Sequence, residues 1–148
     1  MIRQVTKSDE EKLRIIAKQY LVHLYGSQES NVTEWITGKA YKKSLVFDED
    51  NSIAGLLVLK DNPKKDYVKI STLIVLDGYR NKDIGNSLLE QALIYTEKVK
   101  KNNISTTVSE DIVDGLAFFI KKGFRIIKEM KDKYKKGKIE YILLKRLD

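Results

Sequence analysis

The sequence contains no cysteine, a single histidine (His23) and a single proline among its 148 residues. The absence of cysteine excludes disulfides, thiolate metal sites and a cysteine nucleophile. A serine–histidine triad or a multi-histidine metal site would have to be built around His23 alone. We therefore expect no metal cofactor, and we expect His23 to be an ordinary side chain of the first helix.

Long apolar runs are also missing. The longest are AGLLVL (Ala54 to Leu59) and LAFFI (Leu116 to Ile120), well short of the roughly 18 residues that a membrane-spanning helix needs. The N-terminal segment MIRQVTKSDEEKL has no apolar core followed by a small-residue cleavage site, so it lacks the pattern of a signal peptide. We therefore predict a cytoplasmic protein without a membrane partner.

Acidic residues are in the minority, and the formal net charge is +7. Such a balance raises nucleic acid as a partner. However, arginine, which is favoured for reading base edges, is scarce, and lysines are spread over every segment. The densest cluster, Lys128 to Lys138, is more typical of a charged hairpin rim. Nucleic acid is therefore an alternative partner rather than the favoured one.

Apolar periodicity and turn residues predict eleven elements in the order β-α-α-β-β-β-α-β-α-β-β. The predicted strands are Ile2 to Val5, Ser44 to Phe47, Ser52 to Leu59, Tyr67 to Leu76, Ile104 to Val108, Phe124 to Met130 and Lys138 to Leu147. The predicted helices are Asp9 to Tyr25, Asn31 to Tyr41 with Asn31 or Thr33 as its cap, Ile84 to Val99 and Ile112 to Lys122.

The central strand–helix–strand unit implies a parallel strand pair, whereas the hairpins on either side of it are antiparallel. We therefore predict an α/β (α+β) fold in which a mixed central sheet of about seven strands has helices on both faces. The length fits one compact domain over residues 1–148. We expect this domain to act as a monomer or homodimer.

The segment DGYRNKDIGNSLL, Asp77 to Leu89, joins a buried strand to an amphipathic helix. The start of such a helix lies at the carboxyl edge of the sheet, where ligands bind in open α/β folds. Its unpaired N–H groups and dipole suit a phosphate, and Arg80 adds a positive charge. The alternative is an ordinary helix start capped by Asp83. The residues alone leave both interpretations open.

The stretch LIVLDGYRNKDIGNSLL, Leu73 to Leu89, resembles motif A of the GNAT superfamily of acyl-CoA N-acyltransferases. That motif is written R/Q-x-x-G-x-G/A after an L-x-V strand end. Arg80, Asp83 and Gly85 occupy its three signature positions. Downstream, GLAFFIKKGF (Gly115 to Phe124) resembles motif B. Both motifs and the element order together cover nearly the whole chain.

The resemblance implies an N-acetyltransferase that uses acetyl-CoA as cosubstrate and needs no metal. The coenzyme is expected in a wedge between the fourth and fifth strands, where a backbone N–H near Val75 would stabilise the oxyanion. The implied coenzyme contacts are Leu73, Ile74, Val75, Arg80, Asn81, Lys82, Asp83, Ile84, Gly85, Asn86 and Phe119.

Several residues depart from the family pattern. Asp83 stands at a usual glycine position, and we expect its carboxylate to cap the helix rather than face the pyrophosphate. Phe119 replaces a tyrosine that acts as general acid in many members. Ile112 replaces an asparagine that contacts the coenzyme, and Lys69 stands where some relatives carry a glutamate base. Replacement catalysts must therefore come from elsewhere.

We predict Glu110, just beyond the fifth strand, as the general base, and Tyr134 or Tyr141 as the general acid. The acceptor is an amine whose identity the sequence does not give, and the lysines around its expected pocket favour an acidic one. Two alternatives stay open. One is a CoA-binding regulatory module without turnover, and the other is a basic RNA- or ribosome-associated protein.

Overall fold

The computed structural model describes residues 1–80 and 82–147, which form one seven-stranded mixed sheet with helices on both faces. The strands are β1 (Ile2–Gln4), β2 (Lys42–Glu49), β3 (Ser52–Lys60), β4 (Tyr67–Val75), β5 (Asn103–Ser109), β6 (Arg125–Lys131) and β7 (Ile139–Arg146). The helices are α1 (Glu10–Tyr20), α2 (Val22–Tyr25), α3 (Glu29–Thr37), α4 (Ile84–Lys98) and α5 (Val113–Lys121). This architecture confirms the predicted fold class.

The predicted helices near the N-terminus are wrong in detail. The helix predicted over Asp9 to Tyr25 is interrupted at Leu21, which separates α1 from α2. The helix predicted over Asn31 to Tyr41 spans Glu29–Thr37 instead, so Asn31 and Thr33 lie inside it and are not its caps. The Asn31 amide donates to Gln28 Oε1 (2.9 Å) and the Thr33 hydroxyl donates to the Glu29 carbonyl (3.1 Å).

The spatial strand order is β1-β2-β3-β4-β5-β7-β6, and among the strand pairs of the described residues only β4–β5 is parallel. Two apolar clusters lie on opposite faces of the sheet. One packs beneath α4 and α5 around Leu57, Leu88 and Ile104. The other packs beneath α1 and α3 around Leu13 and Trp35. Because β3 supplies residues to both clusters, it lies at the centre of the core.

The strands β4 and β5 separate towards their carboxyl ends. Their pairing runs only from Tyr67 opposite Asn103 to Ile70 opposite Thr106. Beyond that point β4 stays paired with β3, and β5 stays paired with β7. The β3–β4 register shifts at the same level and leaves Ser71 as an extra residue. Such a bulge bends its strand, and the result is a wedge-shaped opening inside the sheet.

In the described ranges, no helix combines the length and the apolar character required to cross a bilayer.

Candidate active site

The opening between β4 and β5 contains the larger of two cavities described here, about 1040 Å³ in volume. Its walls are the separated halves of the two strands, the first turn of α4 and most of α5. Tyr20, Leu21, Leu24 and Tyr25 close it from the opposite face. The lining residues that the sequence predicted for the coenzyme are Leu73, Ile74, Val75, Arg80, Asp83, Ile84, Gly85, Asn86 and Phe119.

The backbone of β4 supplies polar groups to the wedge. The Leu76 N–H donates to the Ala54 carbonyl at 2.9 Å, and backbone direction alternates along a strand. The N–H groups of Leu73 and Val75 therefore point away from β3, towards the opening. The Arg80 Nε donates a hydrogen bond to the Val75 carbonyl at 3.4 Å.

The first turn of α4 lies at the mouth of the wedge. Asp83 is the N-cap residue, but its carboxylate makes no bond to the helix N–H groups, so the predicted side-chain cap is wrong. The physical reason is its left-handed backbone (φ 63°), because a capping side chain normally requires an extended N-cap residue. The carboxylate instead accepts a hydrogen bond from the side chain of Asn86. The N–H groups of the first turn are thus left without a side-chain cap.

The wedge narrows between α4 and α5. A Cβ added to Gly85 would lie 3.6 Å from both Phe118 and Val75. Phe119 packs edge to face against Phe118 and Phe124, with ring centroids 5.2 and 5.1 Å apart. These rings form an apolar wall that offers no proton donor. Within the described residues, the Asn86 Oδ1 is buried nearby without a hydrogen-bond partner.

Charged residues surround the mouth unevenly. The Arg80 guanidinium is largely exposed and lies 3.5 Å from the Asp77 carboxylate. Lys121 and Lys122 also line the cavity. Lys82 does not line it, and its ammonium lies 3.8 Å from the Glu49 carboxylate. The remaining predicted coenzyme contact, Asn81, lies outside the described residues.

The predicted catalytic side chains are not gathered at one point. Glu110 is half-buried, its N–H donates to the Ile139 carbonyl (2.9 Å), and it is not among the residues that line the two cavities. Tyr134 lines the smaller cavity and packs edge to face on Tyr25 at 5.0 Å. Tyr141 packs against the apolar cluster beneath α4 and α5. Their catalytic roles stay predictions.

Glu140 on β7 is a buried carboxylate that was not predicted from the sequence. It is 3% exposed, and its Oε1 has no hydrogen-bond partner in the part of the chain that the structure describes. Burial raises the pKa of this carboxyl group. Burial and the nearby Glu140 charge also raise the pKa of Tyr25, which lines both cavities, to about 12. The feature of the sequence that could have revealed this buried carboxylate is the single acidic residue within the apolar strand sequence IEYILL.

A smaller cavity of about 300 Å³ adjoins the wedge and shares Leu21, Tyr25, Ser71, Thr72 and Thr107 with it. Three lysines, Lys42, Lys60 and Lys69, line this smaller cavity. In the sequence, Lys69 stands out only as the residue at a position where some relatives carry a glutamate. The three lysines lie side by side only through the register of three strands, which the sequence does not reveal.

No group of three or more His, Cys, Asp or Glu side chains that could hold a metal ion is found in residues 1–80 and 82–147.

A wedge that ends at an uncapped helix terminus, with apolar walls and strand backbone along its length, is the expected site for a thioester of coenzyme A. The sequence model of the Acetyltransferase (GNAT) domain matches residues 26–142. The chain therefore belongs to the GNAT acetyltransferase family. This membership confirms the predicted class, an acyl-CoA-dependent N-acetyltransferase.

Solved structures show the same fold at low sequence identity. Arabidopsis thaliana NAA60 in complex with a bisubstrate analogue is 15% identical with a TM-score of 0.86, covering 100% of this chain and 98% of that chain. Ard1 from Thermoplasma volcanium is 19% identical with a TM-score of 0.84, covering 100% and 97%. PaiA N-acetyltransferase from Thermoplasma acidophilum, solved in complex with coenzyme A, is 20% identical with a TM-score of 0.79, covering 99% and 98%. Among curated protein sequences, no significant match is found.

Proposed function

We propose that this chain, acting as one domain over residues 1–148, moves the acetyl group of acetyl-CoA to a primary amine. The observation that carries the proposal is the opening between β4 and β5 beside the uncapped start of α4. In the reaction, the amine nitrogen bonds to the thioester carbonyl carbon and the carbon–sulfur bond breaks. The amine gives up one proton, and the departing CoA thiolate takes one up.

The residues of the wedge fit a CoA thioester. The backbone of Leu73 and Val75 can pair with the pantetheine amides, and the orphan Asn86 Oδ1 is an acceptor for an amide N–H. The N–H groups of the first turn of α4 and the Arg80 side chain suit the pyrophosphate. The same assignment includes Ile74, Asn81, Asp83, Ile84, Gly85 and Phe119 as coenzyme contacts, whereas Lys82, which lies outside the cavity lining, is left out.

We assign oxyanion stabilisation to the backbone N–H of Val75, because it faces the wedge at the end of a strand that β3 holds in place. Tyr134 is the assigned general acid, since it lines the adjoining cavity. Much of the acceleration can come from holding amine and thioester together.

Two carboxylates compete for the role of general base. Glu110 is the sequence-based candidate, and Glu140 is the structural one, because it is a buried carboxylate whose charge acts on Tyr25, a residue that lines both cavities. The dependence of kcat/KM on pH separates them. Removal of the base by Glu110→Gln or Glu140→Gln abolishes the rise of the rate with increasing pH. An unchanged profile in one variant rejects that residue.

Acetyl transfer is tested by calorimetry with CoA and by release of free CoA from acetyl-CoA in the presence of an amine panel. The proposal predicts binding and amine-dependent release. Binding without release from any amine favours the regulatory CoA-binding module. Absence of CoA binding, together with RNA affinity that falls steeply with salt, favours the nucleic-acid alternative.

We further propose a cytoplasmic location and a monomeric or homodimeric state. Gel filtration with light scattering tests the state, and fractionation of cells tests the location.

A further inference from the structure

Three lysines stand directly opposite one another on adjacent strands. Lys42 on β2 pairs with Lys60 on β3, and Lys60 pairs with Lys69 on β4. We call them the lysine row. Cross-strand partners point to the same face of a sheet, and like charges placed there destabilise it. The arrangement therefore costs folding free energy as long as nothing neutralises it.

The protein compensates this row only in part. The Glu34 carboxylate lies 3.8 Å from the Lys42 ammonium, whose side chain is 10% exposed. For the ammonium groups of Lys60 and Lys69, no hydrogen bond or ion pair is found among residues 1–80 and 82–147. Burial, followed by the charges of Lys133, Lys42 and Lys60, lowers the pKa of Lys69. An anion from outside the chain would supply the missing charge.

The row lies where an acceptor must sit to reach the thioester. It lines the smaller cavity, which shares Ser71, Thr72 and Thr107 with the wedge. Lys69 is two residues before Ser71 on β4, a separation of about 7 Å along a strand. A molecule in this cavity can therefore touch the lysines at one end and the open part of the wedge at the other.

We propose that the smaller cavity is the acceptor site, and that the acceptor is a small primary amine bearing an anionic oxygen group held by the lysine row. This assignment rests on the acetyl transfer proposed above and names its substrate class. The cavity has a volume of about 300 Å³, many times the ~10–15 Å³ of such space that one water needs. It therefore has room for the amine and the anionic group of a small acceptor.

The first test compares three probes that share a free amine and an amidated C-terminus. Glutamyl-glycinamide carries a carboxylate, O-phosphoseryl-glycinamide carries a phosphate, and glutaminyl-glycinamide is the neutral match. At least one acidic probe is acetylated with a kcat/KM at least tenfold above that of the neutral one. Whichever acid is preferred identifies the source of the negative charge.

Substitutions of the lysines then test whether the preference for an acidic probe depends on the lysine row. Lys60→Gln and Lys69→Gln lower the ratio of kcat/KM for the preferred acid to kcat/KM for the neutral probe at least tenfold. The matched control is Lys43→Gln, which removes the same charge from the next residue of β2, an exposed position on the opposite face. Unfolding in urea checks that the row variants are at least as stable as the parent, since each relieves repulsion.

The second test needs no turnover. Calorimetry with glutarate, which has no amine, shows binding to the parent protein and to Lys43→Gln, and loss of binding in Lys60→Gln and Lys69→Gln. CoA binding is equal in all four proteins. If the protein neither binds CoA nor releases it from acetyl-CoA, while glutarate binding still requires the two lysines, the proposed acetyl transfer is rejected and the anion site is retained.

The proposal is overturned if the acidic and neutral probes are used equally. It is also overturned if glutarate does not bind, or binds as well after both lysine substitutions.

Discussion

Asp83 is the residue of motif A that departs from the family pattern, since it stands where the motif usually has glycine. It puts a carboxylate beside N–H groups that favour an anion, and it adopts a left-handed backbone (φ 63°) that glycine tolerates better. Aspartate and asparagine are the side chains most often accepted in that region. A substitution that keeps the left-handed backbone but removes the charge therefore shows how the carboxylate alone affects CoA binding.

Replacing Asp83 by asparagine should tighten CoA binding. The variant keeps the left-handed conformation and can still accept the hydrogen bond from Asn86. It removes a negative charge near the pyrophosphate, for which we expect about 1 kcal/mol, or roughly a fivefold lower Kd. Calorimetry at low and high salt measures the gain, which shrinks as salt screens the charge.

The matched control is Glu90→Gln, the same change of charge at an exposed position farther along α4, which should leave Kd unaltered. Weaker CoA binding by Asp83→Asn would show that the carboxylate helps the ligand instead of opposing it.

Glu140 should make stability depend on pH. Burial raises the pKa of its carboxyl group above the ordinary 4.5, so the unfolded chain releases this proton at a lower pH than the folded one. The contribution of Glu140 to stability is therefore favourable at low pH and is lost as pH rises through that interval. At pH 8 we expect Glu140→Gln to be more stable than the parent by about 1–3 kcal/mol.

Urea unfolding at pH 4 and pH 8 measures this difference, which should be small at pH 4. Glu129→Gln on the neighbouring strand removes an exposed carboxylate and serves as the control. A Glu140→Gln advantage that is equal at the two pH values would contradict an ionised, buried carboxylate.

A glycine on β3 allows helix α4 to pack closely against the sheet. A Cβ added to Gly55 on β3 would lie 2.9 Å from Leu88 Cδ1, and 3.1 Å from both the Ile74 carbonyl and Ile84 Cγ2. Because Gly55 has no side chain, Ile84 and Leu88 can lie close to the backbone of β3, and the first turn of α4 packs over β3 and β4. By contrast, Gly85 on the helix itself has room for a methyl group.

We therefore expect opposite outcomes from two glycine-to-alanine changes. Gly55→Ala should lower the free energy of unfolding by about 1–3 kcal/mol, because the backbone of β4 cannot give way as a side chain can. Gly85→Ala should raise it by about 0.5–1 kcal/mol, since alanine is the better helix former. Urea denaturation of both variants measures these changes in the free energy of unfolding. Equal effects would show that α4 does not pack on β3 as described.

Taken as a whole, the chain shows why its sheet was easier to predict than its chemistry. The strand alternation and the helix stripe through Leu88 are local patterns, so the element order followed from the sequence, whereas the wedge position was implied by the resemblance to the GNAT motifs. Turn and cap details were less certain, since Asn31 and Thr33 could cap a helix or bond within it. The structure showed the latter.

The lysine row and the buried carboxylate of Glu140 could not be predicted, because distant segments create their surroundings. Lys42, Lys60 and Lys69 form a row only through the pairing of three strands. Glu140 becomes a buried carboxylate only because β7 lies beside β5. Composition indicated a lysine-rich protein, but not where its positive charge gathers.

The central claim is that CoA lies between β4 and β5 with its pyrophosphate on α4. The direct measurement is the amide NMR spectrum of the labelled protein with CoA and with pantetheine, which lacks the pyrophosphate. We predict that both ligands shift the amides of Leu73 and Val75, and that only CoA shifts those of Ile84, Gly85 and Asn86. Unmoved amides at the start of α4 in saturating CoA would contradict the claim.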